Sequence, residues 1–261
     1  MKLMNPLPEI QLASSRPALD ARPLEKRVGL VALATDHTSE VDFRRMVASE
    51  RIGVYVARIP YANPTTSENL RKMQPSLSAG AALILPDEPL DAVCYSCTSA
   101  SVVIGDAEVE AAIQAAKPGV PVVTPPMAGV RGLNAFGVKR ISILTPYTVE
   151  TSRPMAAYFA AHGFDIASFT CLGFEDDREM ARITPASLVE QARKAMHAQA
   201  DALFVSCTAL RAALVVPSME EAIGRPVVTS NQASAWNCLR LCGDDTPRPQ
   251  FGRLMTKPLA Q

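Results

Sequence analysis

Histidine is scarce in this chain, with three in 261 residues (His37, His162 and His197), widely scattered and none close in sequence to a pair of cysteines. That removes the usual partner of cysteine in mixed zinc sites. Uninterrupted apolar runs are short, well below the ~18 residues expected of a membrane-spanning helix. Formal net charge is zero, from 26 basic and 26 acidic side chains without a basic run, so the electrostatic footprint of a nucleic-acid binder is missing. A Gly-rich phosphate loop is also missing. The first residues, Met1-Lys-Leu-Met-Asn-Pro-Leu-Pro, place proline and polar groups where a signal peptide needs its apolar core. These absences lead to the expectation of a soluble cytoplasmic protein that needs neither metal nor organic cofactor and works on neither nucleic acid nor membrane.

What the chain does have is cysteine: positions 94, 97, 171, 207, 238 and 242. In an intracellular chain such residues read as free thiols rather than a disulfide framework. Two of them sit in echoing segments. Leu90-Asp-Ala-Val-Cys94-Tyr-Ser-Cys97-Thr98-Ser99 returns as Ala202-Leu-Phe-Val-Ser206-Cys207-Thr208-Ala209, an apolar strand ending in Cys-Thr followed by small residues able to open a helix. The echo extends to Arg27 and Arg140, which begin apolar strands 70 and 67 positions before the cysteines. It extends also to Pro121-Val-Val-Thr124 and Pro226-Val-Val-Thr229, 24 and 19 positions after them. Three landmarks in one order indicate two copies of one α/β unit. The alternative, a redox pair or half a zinc site at Cys94-x-x-Cys97, needs Cys238-x-x-x-Cys242 as its partner. Alternation along the strand instead makes Cys94 a buried side chain.

Strands are expected at 27–34, 52–59, 91–95, 120–124, 140–145, 164–170, 201–205 and 226–229, with helical patterns between them. Short apolar strands alternating with helices imply parallel sheets built from βαβ units. The expected architecture is α/β: two flavodoxin-like lobes, each a parallel sheet flanked by helices, related by a pseudo-twofold duplication with the site in the cleft. The boundaries are an N-terminal arm at 1–26, a first lobe at 27–133 plus 230–242, a second lobe at 134–229 and a tail at 243–261 that reads as poorly ordered. The helix from Asn231 to Leu241 should pack back on the first lobe.

Ligands of open α/β sheets sit beyond the carboxyl ends of the strands, where both Cys-Thr pairs fall. A thiol just before a helix meets unpaired backbone N–H groups that favour thiolate and can grip a carboxylate. Thr98, Ser99 and Thr208 add hydroxyl donors. Such a site suits a small carboxylic acid with one sulfur on each face.

At this point the chain resembles the cofactor-independent aspartate/glutamate racemase superfamily, over roughly residues 27 to 242. Gly29-Leu-Val-Ala-Leu-Ala-Thr-Asp36, Leu144-Thr-Pro-Tyr147, Ser206-Cys-Thr-Ala-Leu-Arg211 and Thr229-Ser-Asn-Gln-Ala233 look closest to the branch of maleate cis-trans isomerase, arylmalonate decarboxylase and the ectoine-utilisation protein A family, the last above all. The resemblance implies Cys97 and Cys207 as the two catalytic thiols and a homo-oligomer. In maleate isomerases one thiolate adds to the double bond while the opposing thiol supplies a proton; in the racemases one thiolate removes the α-proton and the other returns a proton from the opposite face. Tyr147 falls where the isomerases place a substrate-binding tyrosine. Asp36, Asn63 (in Ala62-Asn-Pro-Thr-Thr66) and Asn231 join the candidate substrate contacts. Three departures stand out. Maleate isomerases carry Asn at the place of Asp36, racemases usually follow the second Cys-Thr with His where this chain has Ala209, and arylmalonate decarboxylases lack a cysteine at the place of Cys97.

Simpler readings stand beside these. Asp36 can cap the following helix, Tyr147 can be a core ring, Asn63 a turn residue before Pro64 and Asn231 a helix cap. Cys171, Cys238 and Cys242 read as packing residues, and Glu175-Asp-Asp-Arg-Glu179 as a solvated loop. Isomerase, racemase and decarboxylase chemistry remain open, as does a non-catalytic carboxylate-binding module, since two α/β lobes around a cleft also describe solute-binding proteins.

Overall fold

The computed structural model of the chain describes residues 8–259. Two four-stranded parallel sheets form its frame. The first contains β1 (Lys26–Leu33), β2 (Ile52–Ile59), β3 (Ala92–Tyr95) and β4 (Val122–Val123) in the order β2-β1-β3-β4. The second contains β5 (Arg140–Tyr147), β6 (Asp165–Phe174), β7 (Ala202–Val205) and β8 (Val227–Thr229) in the matching order β6-β5-β7-β8. All eight expected strands are present, and the two sheets share the doubly wound order in which strand one lies between two and three. Val28 to Leu33 and Ile141 to Tyr147 are buried throughout, as strands covered on both faces must be.

The repeated landmarks of the sequence occupy equivalent places. Asp91 N–H donates to Arg27 O at 2.8 Å, and Asp201 N–H to Arg140 O at 2.7 Å. Val93 N–H donates to Pro121 O at 2.9 Å, and Leu203 N–H to Pro226 O at 3.1 Å. At the cysteines, Ser96 N–H reaches Val31 O and Ser206 N–H reaches Leu144 O, both at 2.9 Å. Each Cys thus leaves its sheet from the same position, one residue beyond the last ladder bond.

Helices α1 (Ser39–Met46), α2 (Ser67–Arg71), α3 (Gln74–Ala82), α4 (Thr98–Ile104), α5 (Asp106–Gln114) and α6 (Pro125–Ala135) accompany the first sheet in chain order. The second is accompanied by α7 (Val149–Ala161), α8 (Asp177–Met180), α9 (Pro185–Ala195), α10 (Val216–Ile223) and α11 (Ser230–Leu241). Their packing exchanges two of them. Although sequence order puts α6 with the first sheet, it lies on the second: a Cβ on Gly129 would fall 2.6 Å from the Phe204 ring of β7, so only glycine permits the approach. In return α11 packs on α1, β3 and β4 of the first lobe. Ten of its first eleven residues beyond Ser230 are buried, Trp236 and Leu239 completely. Burial of a side chain of that size stabilises the fold by about 2 kcal/mol.

The tail differs from expectation. Beyond Gly243 the chain folds into short 3-10 turns at Pro249–Phe251 and Arg253–Thr256, with Leu254 and Met255 fully buried. Its carbonyls satisfy buried donors of α11 and its N-terminal turn: Gln232 Nε2 reaches Phe251 O at 2.6 Å, Trp236 Nε1 reaches Lys257 O at 2.8 Å, and Arg240 Nη2 reaches Met255 O at 3.1 Å. Buried side-chain donors need acceptors, and this segment supplies them. Residues 8–24 of the N-terminal arm form no strand or helix and expose Ile10, Leu12 and Leu19; residues 1–7 lie outside the described part. Among the described residues, no helix is long and apolar enough to cross a membrane, and no group of three or more His, Cys, Asp or Glu could hold a metal ion.

Candidate active site

Cys97 is the N-cap of α4, in extended conformation with φ −151°. Its carbonyl accepts Ser101 N–H at 3.0 Å and the Ser101 hydroxyl at 2.7 Å, which fixes the turn into the helix. Cys207 is placed differently. Its φ is +94°, a left-handed conformation rare outside glycine, and no helix follows. Residues 208–212 make turns that lead to a 3-10 turn at Ala213–Val215. The helix opening expected after the second Cys-Thr is therefore corrected, and the cause is visible. Thr208 O accepts Asn231 Nδ2 at 2.9 Å and Ala209 O accepts the Thr38 hydroxyl at 2.8 Å, so both carbonyls bond other segments instead of a helical ladder.

Both sulfurs line one cavity between the lobes, with ≈ 310 Å³ of space between atoms but only ≈ 20 Å³ open to the centre of a water molecule. By that measure the narrow cavity holds about one water. Ser99, Tyr147 and Thr208 line it with the two cysteines, and so does Asp36. A larger hollow of ≈ 570 Å³ beside Asp87 and Lys117 contains no cysteine and no chemistry comparable to this pair.

The remaining sequence-derived site residues support the cavity from behind. The Thr98 hydroxyl donates to Ser230 Oγ at 2.8 Å, and the same oxygen accepts Cys207 N–H at 3.1 Å. One serine thereby ties the two cysteine turns together. Asn231 is spent on Asp42 at 2.8 Å and on Thr208 O, away from the cavity wall. Asn63 is likewise off the wall: its Nδ2 donates to Asp176 at 3.0 Å and Asp177 at 2.8 Å, and its Oδ1 accepts Asp177 N–H at 3.2 Å. Thr98, Asn63 and Asn231, expected to contact substrate, do not line the cavity: the donors of Thr98 and Asn63 are paired within the protein, and Asn231 donates to Asp42 and Thr208 O while its Oδ1 is buried without a partner.

Asp36 lines the cavity, and although the N-cap of α1 is Thr38, the Asp36 carboxylate bonds the residues that open that helix. Its Oδ1 accepts the N–H groups of Thr38 and Ser39 at 2.7 Å, and Oδ2 accepts the Ser39 hydroxyl at 2.5 Å. It braces the approach to α1 and at the same time faces the cavity. Burial raises its pKa above the usual carboxylate value, against the pull of these hydrogen bonds.

Sequence reading missed part of the wall. Tyr61, Thr65, Asp177 and Met180 also line the cavity. The Tyr61 and Thr65 hydroxyls are 2.6 Å apart. The Glu175–Glu179 cluster, read as a solvated loop, is corrected: it enters α8 with Asp177 and Met180 buried. Asp177 also accepts a hydrogen bond from the Thr35 hydroxyl. Thr65 N–H to Glu175 O at 2.8 Å closes the same seam. A run of acidic residues has the composition of a surface loop, and only the opposite lobe supplies the donors that draw it inward.

Burial also reverses the expected state of the thiols. Cys97 is pushed up to about 11, against the Ala100 N–H and the Ser99 hydroxyl, which favour thiolate. Cys207 is pushed up to about 12, against the Tyr147 hydroxyl and the N–H groups of Ala209 and Leu210. The N–H groups expected at the sulfurs are present, but desolvation by burial outweighs them.

Comparison with known proteins agrees with this frame. The family model described as arylmalonate decarboxylase matches residues 76–255. Arylmalonate decarboxylase of Bordetella bronchiseptica is 33% identical over 139 residues, 52% of this chain and 58% of that protein. Maleate isomerase of Alcaligenes faecalis is 25% identical over 253 residues, covering 90% of this chain and 98% of the other. The fold is shared with a mutant Nocardia farcinica maleate cis-trans isomerase that holds a covalently bound succinylcysteine intermediate, at TM-score 0.81 and 23% identity over 88% of this chain and 98% of that one. The match over most of its length shows that the chain belongs to the arylmalonate decarboxylase family, within the aspartate/glutamate racemase superfamily.

Proposed function

We propose that the protein is a cofactor-independent isomerase of a small carboxylate, of the maleate cis-trans isomerase type, with Cys97 and Cys207 as its two catalytic groups. The observation that carries this reading is that both thiols, from equivalent strand ends, line one narrow cavity. A relative of the same fold with a succinylcysteine intermediate supports sulfur addition.

In that chemistry one thiolate forms a bond to an alkene carbon, and the π pair moves to the carbon beside the carboxylate, which takes the proton of the opposing thiol. Rotation about the new single bond follows. The second thiolate then removes that proton, the double bond re-forms and the first sulfur leaves with its electron pair. The step requires one thiolate, while burial in the narrow cavity favours the protonated form of both thiols at neutral pH. Opening of the cavity to water relieves that burial and allows one sulfur to ionise.

A second reading, racemisation by proton transfer between the two thiols, is favoured by Asp36 and Asp177 in the wall, since acidic side chains suit an amino-acid substrate. A proton NMR time course in D₂O with reduced protein and a mixture of maleate, aspartate, glutamate and phenylmalonate separates these readings. Fumarate appearing from maleate assigns the isomerase; deuterium entering an α-position assigns the racemase. Either activity should fall ~10³-fold or more in Cys97→Ala and in Cys207→Ala. Full activity in Cys97→Ala would sink the two-thiol mechanism, and retention of decarboxylation alone would point to arylmalonate chemistry.

A further inference from the structure

An open sheet leaves two strands at its edges, and a long edge strand without basic residues or proline invites pairing with another chain. The four edges of this protein differ. β4 and β8 are two and three residues long, and β2 contains Arg58. β6 runs for ten residues, Asp165–Phe174, has no Lys, Arg or Pro, and pairs with β5 alone. Two register shifts leave Ser168 to Cys171 as its regular stretch. On one face of that stretch Phe169 and Cys171, two residues apart, line a hollow of ≈ 310 Å³ together with Val149, Arg153 and Ala156 of α7. Val149 is 65% exposed there, and Arg153 makes no ion pair among the described residues.

The segment that fits this edge is in the N-terminal arm. Glu9-Ile10-Gln11-Leu12 alternates polar and apolar residues as a half-buried strand does. Yet no strand forms there, and Ile10 and Leu12 are 98% and 99% exposed. Their spacing equals that of Phe169 and Cys171, so a strand laid along β6 puts both apolar side chains over the hollow on one face. Glu9, the one charge of this segment, is opposite in sign to Arg153, the one charge of the hollow. Within a single chain both surfaces stay uncovered.

We infer that the arm of one copy of this chain adds as a fifth strand to the β6 edge of a second copy, with Ile10 and Leu12 seated between β6 and α7. Reciprocal exchange of two arms closes a twofold dimer and supplies a contact for the homo-oligomer expected from the sequence. An extended chain spans about 3.3 Å per residue, so the stretch from Leu12 to Leu24 reaches about 40 Å, enough to cross onto a neighbouring copy.

Sedimentation equilibrium of the reduced full chain tests this. The parent should be a dimer at micromolar concentration. The double variant Ile10→Glu/Leu12→Glu should weaken association about a hundredfold or more, and Arg153→Glu, which sets two acids against each other, about tenfold. All three side chains are exposed, so the fold is not at stake. A bismaleimide joining Leu12→Cys to Cys171, the half-buried thiol beside five buried ones, should give a product of twice the chain mass that Cys171→Ser removes. A monomeric parent overturns the inference, as does a dimer that the double variant leaves intact, since another face would then hold it. A cross-link within one chain, or none, overturns it as well.

Discussion

Cys207 and Cys97 are chemically the same side chain held by different backbones. At Cys207 the φ of +94° turns the chain so that the Ala209 and Leu210 N–H groups face the sulfur; at Cys97 an ordinary extended φ of −151° brings in Ala100 N–H from the first turn of α4. Strain of that kind typically costs about 1–3 kcal/mol and persists where surrounding contacts enforce it. The two positions should therefore respond oppositely to glycine. Cys207→Gly should be as stable as Cys207→Ala or more so, by up to about 1 kcal/mol, because glycine tolerates positive φ. Cys97→Gly should be less stable than Cys97→Ala by about 1 kcal/mol. Urea unfolding of the four variants measures this, and the same sign at both positions would show that the Cys207 backbone stores no strain.

The start of α11 organises the second cysteine turn. Thr229 and Gln232 form a capping box, with the Thr229 hydroxyl accepting Gln232 N–H and Gln232 Oε1 accepting Thr229 N–H. This places Ser230 where its oxygen accepts both Cys207 N–H and the Thr98 hydroxyl. Ser230→Ala leaves two buried donors unpaired and should cost about 1–3 kcal/mol each in the limit of no relaxation. Turnover should fall more than stability implies, because both cysteine turns lose a shared anchor. Activity assayed well below the unfolding temperature separates the two effects; turnover equal to that of the parent would show that the turns hold themselves. The sequence pattern was sufficient for the eight strands, where short apolar runs are local signals, and for the existence of the last helix, whose cap is Thr229 rather than the Asn231 read as a cap. It was not sufficient for the turn after Cys207, whose small residues have helix propensity but whose carbonyls bond Thr38 and Asn231.

Helix α11 meets the first lobe through buried polar groups, and one of these makes stability depend on pH. Asp42 lies in α1 against α11, where burial, with the nearby Asp36 charge, raises its pKa to about 7 despite the hydrogen bond from Asn231. Its value in the unfolded chain is near 3.8. The folded state thus binds the proton more tightly, so the stabilisation is complete below about pH 4 and is lost as pH rises to about 7. Asp42→Asn keeps an oxygen for Asn231 and removes the ionisation. It should flatten this part of the profile and be more stable than the parent above pH 7 by about 2–4 kcal/mol. Urea midpoints from pH 4 to 8 check the slope; parallel profiles for parent and variant would mean that Asp42 titrates normally.

The duplication, the parallel α/β class and the pairing of Cys97 with Cys207 follow from order and spacing along the chain, because a buried strand and its terminal residue are specified by neighbours a few positions away. The character of the cavity is decided by approach in space. Asn63 meets Asp177 across 114 positions and Asn231 meets Asp42 across 189. These contacts turned an apparent surface loop into a cavity wall, moved Thr98, Asn63 and Asn231 behind it, and buried two thiols deeply enough to outweigh the N–H groups around them. Hydrogen-bond pairing and desolvation depend on which distant groups arrive together, and no local pattern of residue types encodes that meeting.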